Sequence, residues 1–198
     1  MSSANQAKWD AAAETYDRLS YGPERRWAPL KRDFFAAMQG KILFLAAGTG
    51  LDFKFFPPGQ EIDAIDISPR MLERARPRAA AYDGRITLHE MDAQCLALAD
   101  ASFDQIFSVC TFCSVPDPVA GLRELRRVLR PGGELRMFEH TGSRWFPFNV
   151  MLHVMTPISR RVGPEMNRDT VSNVRKAGFT LREVRNIYLD VVRIIVAV

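Results

Sequence analysis

Short apolar runs alternate with longer stretches of helical periodicity through the middle of this chain. Lys41–Ala46 (KILFLA) is a nearly unbroken apolar run that stops at a glycine-containing turn. Glu61–Asp66, Arg85–Glu90, Phe103–Val109 and Gly133–His140 continue the series. Between them, Pro69–Ala81 and Pro118–Leu129 carry apolar residues at helical spacing. In the second, Val119, Leu122, Leu125, Val128 and Leu129 share one stripe, with Arg123, Glu124, Arg126 and Arg127 on the other side. Buried strands alternating with amphipathic helices predict an α/β fold with a parallel, doubly wound sheet. Two last apolar runs, Phe179–Leu189 and Val191–Val198, meet at Asp190 and predict a closing antiparallel hairpin.

Two regions fall outside the alternation. The first 40 residues predict two helices, one with Trp9, Ala12, Ala13, Tyr16 and Leu19 on a face, the other with Trp27, Leu30, Phe34 and Met38. The second region, Trp145–Ile158 (WFPFNVMLHVMTPI), is strongly apolar, broken by Pro147 and Pro157, and followed by Arg160 and Arg161. It follows the fifth strand, where α/β enzymes often insert a lid. The chain thus reads as one domain, 1–198: a helical cap (1–40), a core (41–140), an insert with helices (141–178) and a hairpin (179–198).

Composition narrows the class. A hydrophobic content of 47% and a net charge of +4 fit a globular domain and argue against disorder. Three cysteines, with no secretory pattern in MSSANQAKWD, argue against a disulfide scaffold and favour a reducing, cytoplasmic setting. No apolar run reaches the ~18 residues a membrane-spanning helix needs. The basic excess gathers at Arg25–Arg32 and Arg160–Arg161, beside the most apolar segments, which suits an anionic membrane surface. Ordinary solvated charge explains the total equally well.

The sharpest chemical signal is Leu45-Ala46-Ala47-Gly48-Thr49-Gly50 at the end of the first strand. Two glycines let a ligand approach the backbone closely. A dinucleotide fingerprint needs a third glycine where Phe53 stands, and no Gly-Lys-Ser/Thr phosphate loop follows. Downstream, Asp66 ends the second strand, where a carboxylate can accept both hydroxyls of a ribose. Asp92-Ala93 follows the third, where an acid and an amide can read an adenine edge. A glycine turn and two acids at successive strand ends describe a nucleoside site without a phosphate.

These residues, with Ala64–Ala75, Phe103–Pro118, Leu122–His140 and the entry motif Trp9-Asp10, Ala13, Tyr16-Asp17, resemble the class I S-adenosylmethionine-dependent methyltransferases. The resemblance covers nearly the whole chain. It implies a Rossmann-like, seven-stranded, mostly parallel sheet with helices on both faces and an antiparallel C-terminal strand, with S-adenosylmethionine as cofactor and no metal. It places Gly48 and Gly50 at the methionine part of the cofactor, Asp66 at the ribose with Ile67 and Met71 beside it, and Asp92 and Ala93 at the adenine, with Ala46 also among the cofactor-binding residues. Cys110 lies by the sulfonium, and Tyr16 covers the site. The family usually has an acid where Phe44 stands and a glycine where Ala46 stands. The acid commonly helps to bind the cofactor's amino group, so backbone carbonyls are left to hold it here.

The acceptor must be read from the remainder. Methyl transfer needs a base only when the acceptor is protonated at rest, and the candidates are Tyr16 and His140. His89 and His153 read as structural, and Cys110 and Cys113 as small packing residues. No nucleic-acid module is evident. The apolar insert suggests a greasy acceptor channel, and the basic-aromatic segment Arg25–Met38 an interfacial helix. The layout is similar to small bacterial phospholipid N-methyltransferases and to membrane-associated alkyl-thiol methyltransferases. The expectation is N-methylation of phosphatidylethanolamine at a membrane surface. S-methylation of small hydrophobic thiols, quinone C-methylation and a non-enzymatic cofactor-binding regulator are the alternatives.

Overall fold

The computed structural model describes residues 3–162 and 164–198, without the side chains of residues 3, 21 and 160–162. Five strands, β1 (Ile42–Leu45), β2 (Glu61–Asp66), β3 (Arg85–Glu90), β4 (Phe103–Val109) and β5 (Leu129–His140), run parallel. A hairpin of β6 (Leu181–Tyr188) and β7 (Val192–Ala197) closes the sheet, with β7 antiparallel to β5. The seven-stranded order is β3-β2-β1-β4-β5-β7-β6, as expected of a Rossmann-like sheet with an antiparallel end. The order reverses between β1 and β4, so a crevice opens at their carboxyl ends.

Strand alternation sorts the core into two layers. Leu43 and Leu45 face α3 (Pro118–Val128) and α5 (Thr170–Lys176), while Ile42 and Phe44 face α2 (Pro69–Ala80) and the end of the N-terminal helix. The turns fix where the helices begin. Ser68 Oγ accepts from the Met71 N–H ahead of Pro69, and Asp117 accepts from Val119 and Ala120 ahead of Pro118.

The N-terminal region differs from the two expected helices. It is one helix, α1 (Ser3–Phe35), although Pro23 and Pro29 lie inside it. Each proline removes one helical hydrogen bond. The helix continues because side chains on both sides of the prolines tie it to the domain. Asp10 and Asp17 do so before them, and Lys31, Phe34 and Phe35 after them. The large apolar residues of Arg25–Met38 are turned into the domain, while Arg25, Arg26 and Arg32 stay exposed. Phe34 and Met38 are buried, and Trp27 stacks edge-on against Phe138 and Tyr188.

The insert also departs from expectation. It forms α4 (Phe148–Val162), and of its described side chains only Leu152 and Thr156 are buried. The greasy residues point away from the domain instead of lining a channel. The side chains of Arg160 and Arg161, expected beside it, lie outside the described residues.

Candidate active site

The turn after β1 carries the strain expected of a ligand cradle. Ala46, Gly48 and Gly50 have φ of 53°, 55° and 79°. A side chain at Gly48 would meet only the Tyr16 ring, at 3.8 Å, so the space above this glycine is open to a ligand. At Gly50 a Cβ would fall 2.7 Å from the Phe53 ring and 3.3 Å from the Ala75 backbone. Gly50 thus packs the turn onto α2 and does not line the cleft.

The cleft has a volume of about 690 Å³ including its open mouth. Tyr16, Ala46, Gly48, Asp66, Ile67, Met71, Asp92, Ala93 and Cys110 all line it. Asn5, Trp9, Thr111, Ser114 and Val115 join them without having been singled out as site residues from sequence. The Asp66 carboxylate is buried and accepts from the Gly48 and Ser68 amides at 2.8 and 2.9 Å. Burial pushes its carboxyl above the ordinary carboxylate range, and those backbone donors partly offset the rise. With the Ile67 amide as a third backbone donor, the carboxylate still keeps an acceptor position for a ligand hydroxyl. Asp92 is held by the Gln94 backbone and side-chain amides.

The lining chemistry fits a nucleoside sulfonium. Among the described residues no Lys, Arg or His lines the cleft, while two aspartates do, so it suits a cation and disfavours a phosphate. Ile67, Met71 and Val115 offer apolar walls for an aromatic base. No cluster of three His, Cys, Asp or Glu side chains forms a metal-ligand set among the described residues.

At the β4 end, both titratable side chains are held neutral. Desolvation by the surrounding protein, reinforced by Glu139, pushes the Cys110 thiol up to about 12, although the residue itself stays open to the cleft. Burial also pushes the Tyr16 phenol well above its usual range. Cys113 is buried and its thiol donates to the Cys110 carbonyl at 3.2 Å, so neither thiol is primed for redox or nucleophilic work. His140 ends β5 but does not line the cleft. Its Nδ1 is buried with no partner among the described residues, and burial lowers its pKa.

Four networks around the cleft escape a sequence reading. Asp17 accepts from Thr49 Oγ1 at 2.5 Å and Arg78 Nη2 at 2.7 Å, while Arg78 also donates to the Thr49 carbonyl. Asp10 accepts from Ser68 Oγ at 2.5 Å. The first latches α1 over the glycine turn, and the second fastens it to the turn between β2 and α2. The seven-residue spacing of Asp10 and Asp17 was the available signal, since it puts both on one helical face. Lys31 and Asp52 form a pair at 2.5 Å behind the turn. Glu139, fully buried on β5, accepts from Ser108 Oγ and from the Thr111 and Phe112 amides. It pins the turn that presents Cys110 and Thr111.

A family model described as a methyltransferase domain matches residues 43–137. The chain is similar to thiol S-methyltransferase TMT1B from Homo sapiens, 30% identical over 172 residues covering 79% of this chain and 70% of that protein. It is also similar to the ubiquinone/menaquinone biosynthesis C-methyltransferase UbiE from Geotalea daltonii, 33% identical over 159 residues covering 75% and 68%. Among solved structures, a SAM-dependent methyltransferase from Aquifex aeolicus aligns with a TM-score of 0.66 at 16% identity, covering 95% of this chain and 97% of that one. One from Mesorhizobium loti aligns at 0.65 and 20%, covering 85% and 95%. These two likenesses concern the fold.

Proposed function

This chain belongs to the class I S-adenosylmethionine-dependent methyltransferases, and we propose that its acceptor is a small hydrophobic thiol. S-adenosylmethionine is the cofactor, and when bound it supplies an electrophilic methyl on a sulfonium. In this reading Asp66 holds the ribose hydroxyls, and Ile67, Met71, Asp92 and Ala93 hold the adenine. Gly48 lets the methionine part approach the backbone. Tyr16, from α1, covers the reacting end and keeps water out.

The observation that carries the acceptor reading is the neutral floor around Cys110. Tyr16 and Cys110 resist deprotonation, and His140, whose backbone meets the Cys110 thiol, is not among the residues that line the cleft. This reading therefore assigns no base to Tyr16 or His140, and the acceptor must lose its proton by itself. At pH 7.5 roughly a tenth of an ordinary thiol (pKa about 8.5) is deprotonated to thiolate, against about a thousandth of an alkylammonium (pKa about 10.4) deprotonated to the neutral amine. That hundredfold difference favours sulfur over the amine of phosphatidylethanolamine expected from sequence. A phospholipid head group would also bring a phosphate to a cleft lined by no cation among the described residues. A quinol carbon needs its ring hydroxyl ionised, with a resting pKa near that of tyrosine, about 10. The similarity to TMT1B supports the thiol, and that to UbiE keeps the quinol as the acceptor to test against it.

The test is labelled S-adenosylmethionine with three acceptors in parallel: an aliphatic thiol, phosphatidylethanolamine vesicles and a reduced quinone. Label in the thiol is expected. Label only in phospholipid or quinol overturns the reading. The pH profile adds a second check, because exchanging one thiol for a more acidic one should shift the rise in kcat/KM to lower pH by the difference in their pKa values. A profile that stays fixed would reveal a base on the protein.

A further inference from the structure

α4 and the loop before it form a surface that the site does not use. Trp145 and Phe146 are 71% and 81% exposed, and Val154 and Ile158 are 69% and 70% exposed. Val150, Val154 and Ile158 repeat every four residues, with Met151 and Met155 beside them, so they make one continuous apolar stripe along the helix. Such a stripe, headed by two adjacent aromatic rings, is larger than the scattered apolar residues a water-facing surface normally carries.

The base of this surface is firmly held. Asp190, buried in the β6–β7 turn, accepts from Ser143 Oγ at 2.5 Å and from the Arg144 amide at 2.6 Å. Ser143 Oγ in turn accepts from the Trp145 amide at 3.0 Å. The loop thus presents Trp145 and Phe146 from an ordered support. Beyond α4, the Glu165 amide donates to the Cys113 carbonyl, and Arg168 donates to the carbonyl of Val115, a residue that lines the cleft. The exposed helix therefore sits on the same sheet rim as the cleft.

The geometry points to α4 and Trp145–Phe146 as a docking surface for an anionic lipid bilayer, with the helix lying in the plane of the interface. Length excludes a crossing. Fifteen residues span about 22 Å, against a hydrocarbon core of about 30 Å, and among the described residues no helix is long and apolar enough to cross a membrane. Charge selects the occupant. Residues 141–164 contain no Asp or Glu, and carry Arg144, Arg160 and Arg161. A two-fold pairing of this helix with a second copy would bring arginines together with no carboxylate in the segment to offset them. An anionic lipid surface offers the complementary charge, and its acyl layer receives the apolar stripe. The inference does not depend on which acceptor is methylated.

The test is co-sedimentation of the full chain with phosphatidylcholine vesicles, with and without phosphatidylglycerol, alongside methyl transfer to a soluble thiol. Wild type should partition to the phosphatidylglycerol vesicles. Trp145→Ser with Phe146→Ser should weaken partitioning by at least about tenfold. Both side chains are exposed, so cofactor binding by calorimetry and transfer to soluble acceptor should be unchanged. In a separate reading, Trp145 fluorescence should shift to the blue on anionic vesicles and be quenched by brominated acyl chains. Wild type left in the supernatant overturns the proposal. So does a dimer, seen by analytical ultracentrifugation, that Trp145→Ser dissolves. Loss of methyl transfer on every acceptor with vesicle binding intact would count against the acceptor reading alone.

Discussion

Replacing Glu139 by Gln tests how the floor of the cleft is held. Glu139 is fully buried, and burial pushes its carboxyl up to about 7 from the ordinary 4.5. The folded protein therefore favours the neutral acid more than the unfolded chain does. The sign follows: this preference contributes stability that is fully present below pH 4.5 and is lost as pH rises through about 7. At about 1.4 kcal/mol per pH unit the full loss is about 3 kcal/mol, most of it between pH 5 and 8. Glu139→Gln removes the titration. The Gln carbonyl can still accept from Ser108 and Thr111, which share one oxygen of the carboxylate, but its amide would face the Phe112 N–H. That mismatch costs about 1–3 kcal/mol at every pH, so it offsets the curve without tilting it. Urea unfolding of both proteins from pH 5 to 8 reads the tilt. Wild type should lose about 2–3 kcal/mol relative to the variant across that window. Parallel curves would refute the reasoning, because they would mean that the three donors stabilise the carboxylate as fully as water does.

Two further substitutions test the cradle and its cover. Asp66→Ala removes a carboxylate expected to accept two ribose hydroxyls and also leaves the Gly48 and Ser68 amides unpaired. With charged hydrogen bonds worth about 1.5–3 kcal/mol each, calorimetry should show cofactor affinity falling by at least about a hundredfold; a change under threefold would remove Asp66 from the site. Asp17→Ala cuts the links to Thr49 and Arg78 that fasten α1 over the glycine turn. Hydrogen exchange along residues 3–20 should speed up and cofactor affinity should drop by roughly tenfold, while exchange in β4 and β5 stays slow. Unchanged exchange in α1 would show that Asp17 is not its latch.

The sheet was legible because its signals are local and repeated. Each of the five parallel strands is a short apolar run ended by a turn residue, and Ser68-Pro69 and Asp117-Pro118 announce their helices in the sequence itself. Of the nine expected cofactor contacts that line the cleft, seven follow the same logic, since strand ends are where an open α/β sheet exposes its backbone; Tyr16 on α1 and Met71 on α2 came from the family resemblance. What could not be read was direction. An apolar helix after β5 has the same pattern whether it faces a channel or the outside, and Trp145–Ile158 faces out. Nor does periodicity reveal that Pro23 and Pro29 are carried inside one helix, because the contacts that hold it come from Asp52, Ser68, Arg78 and the sheet, 21 to about 100 residues away along the chain.

The departures at Phe44 and Ala46 acquire a physical account that the sequence could not supply. Residue 44 alternates onto the sheet face turned towards α1 and α2, and there the Phe44 ring meets Phe35, Phe53 and Phe56 with centroids 5.9, 6.2 and 5.0 Å away. A carboxylate in that position would be buried among aromatic rings at a cost of several kcal/mol. The aromatic cluster and the missing acid are thus one feature, and the same cluster anchors the C-terminal half of α1. Ala46 keeps a left-handed backbone, φ 53°, that glycine adopts freely and alanine adopts at a cost of about 1–2 kcal/mol. The turn therefore retains a cradle's shape despite its side chain, which argues that the shape is needed. Lys31–Asp52 brings charge behind that turn, with the Glu24–Lys54 pair near enough to act on Asp52, on the side of α1 that also carries Phe34 and Phe35. The N-terminal helix consequently does three things at once: it fills the aromatic core, supplies Lys31 to the part-buried ion pair beside the turn, and places Tyr16 over the cleft. In the proposed reading the acceptor meets that cover, while α4, on the same rim, presents its apolar stripe to the surroundings.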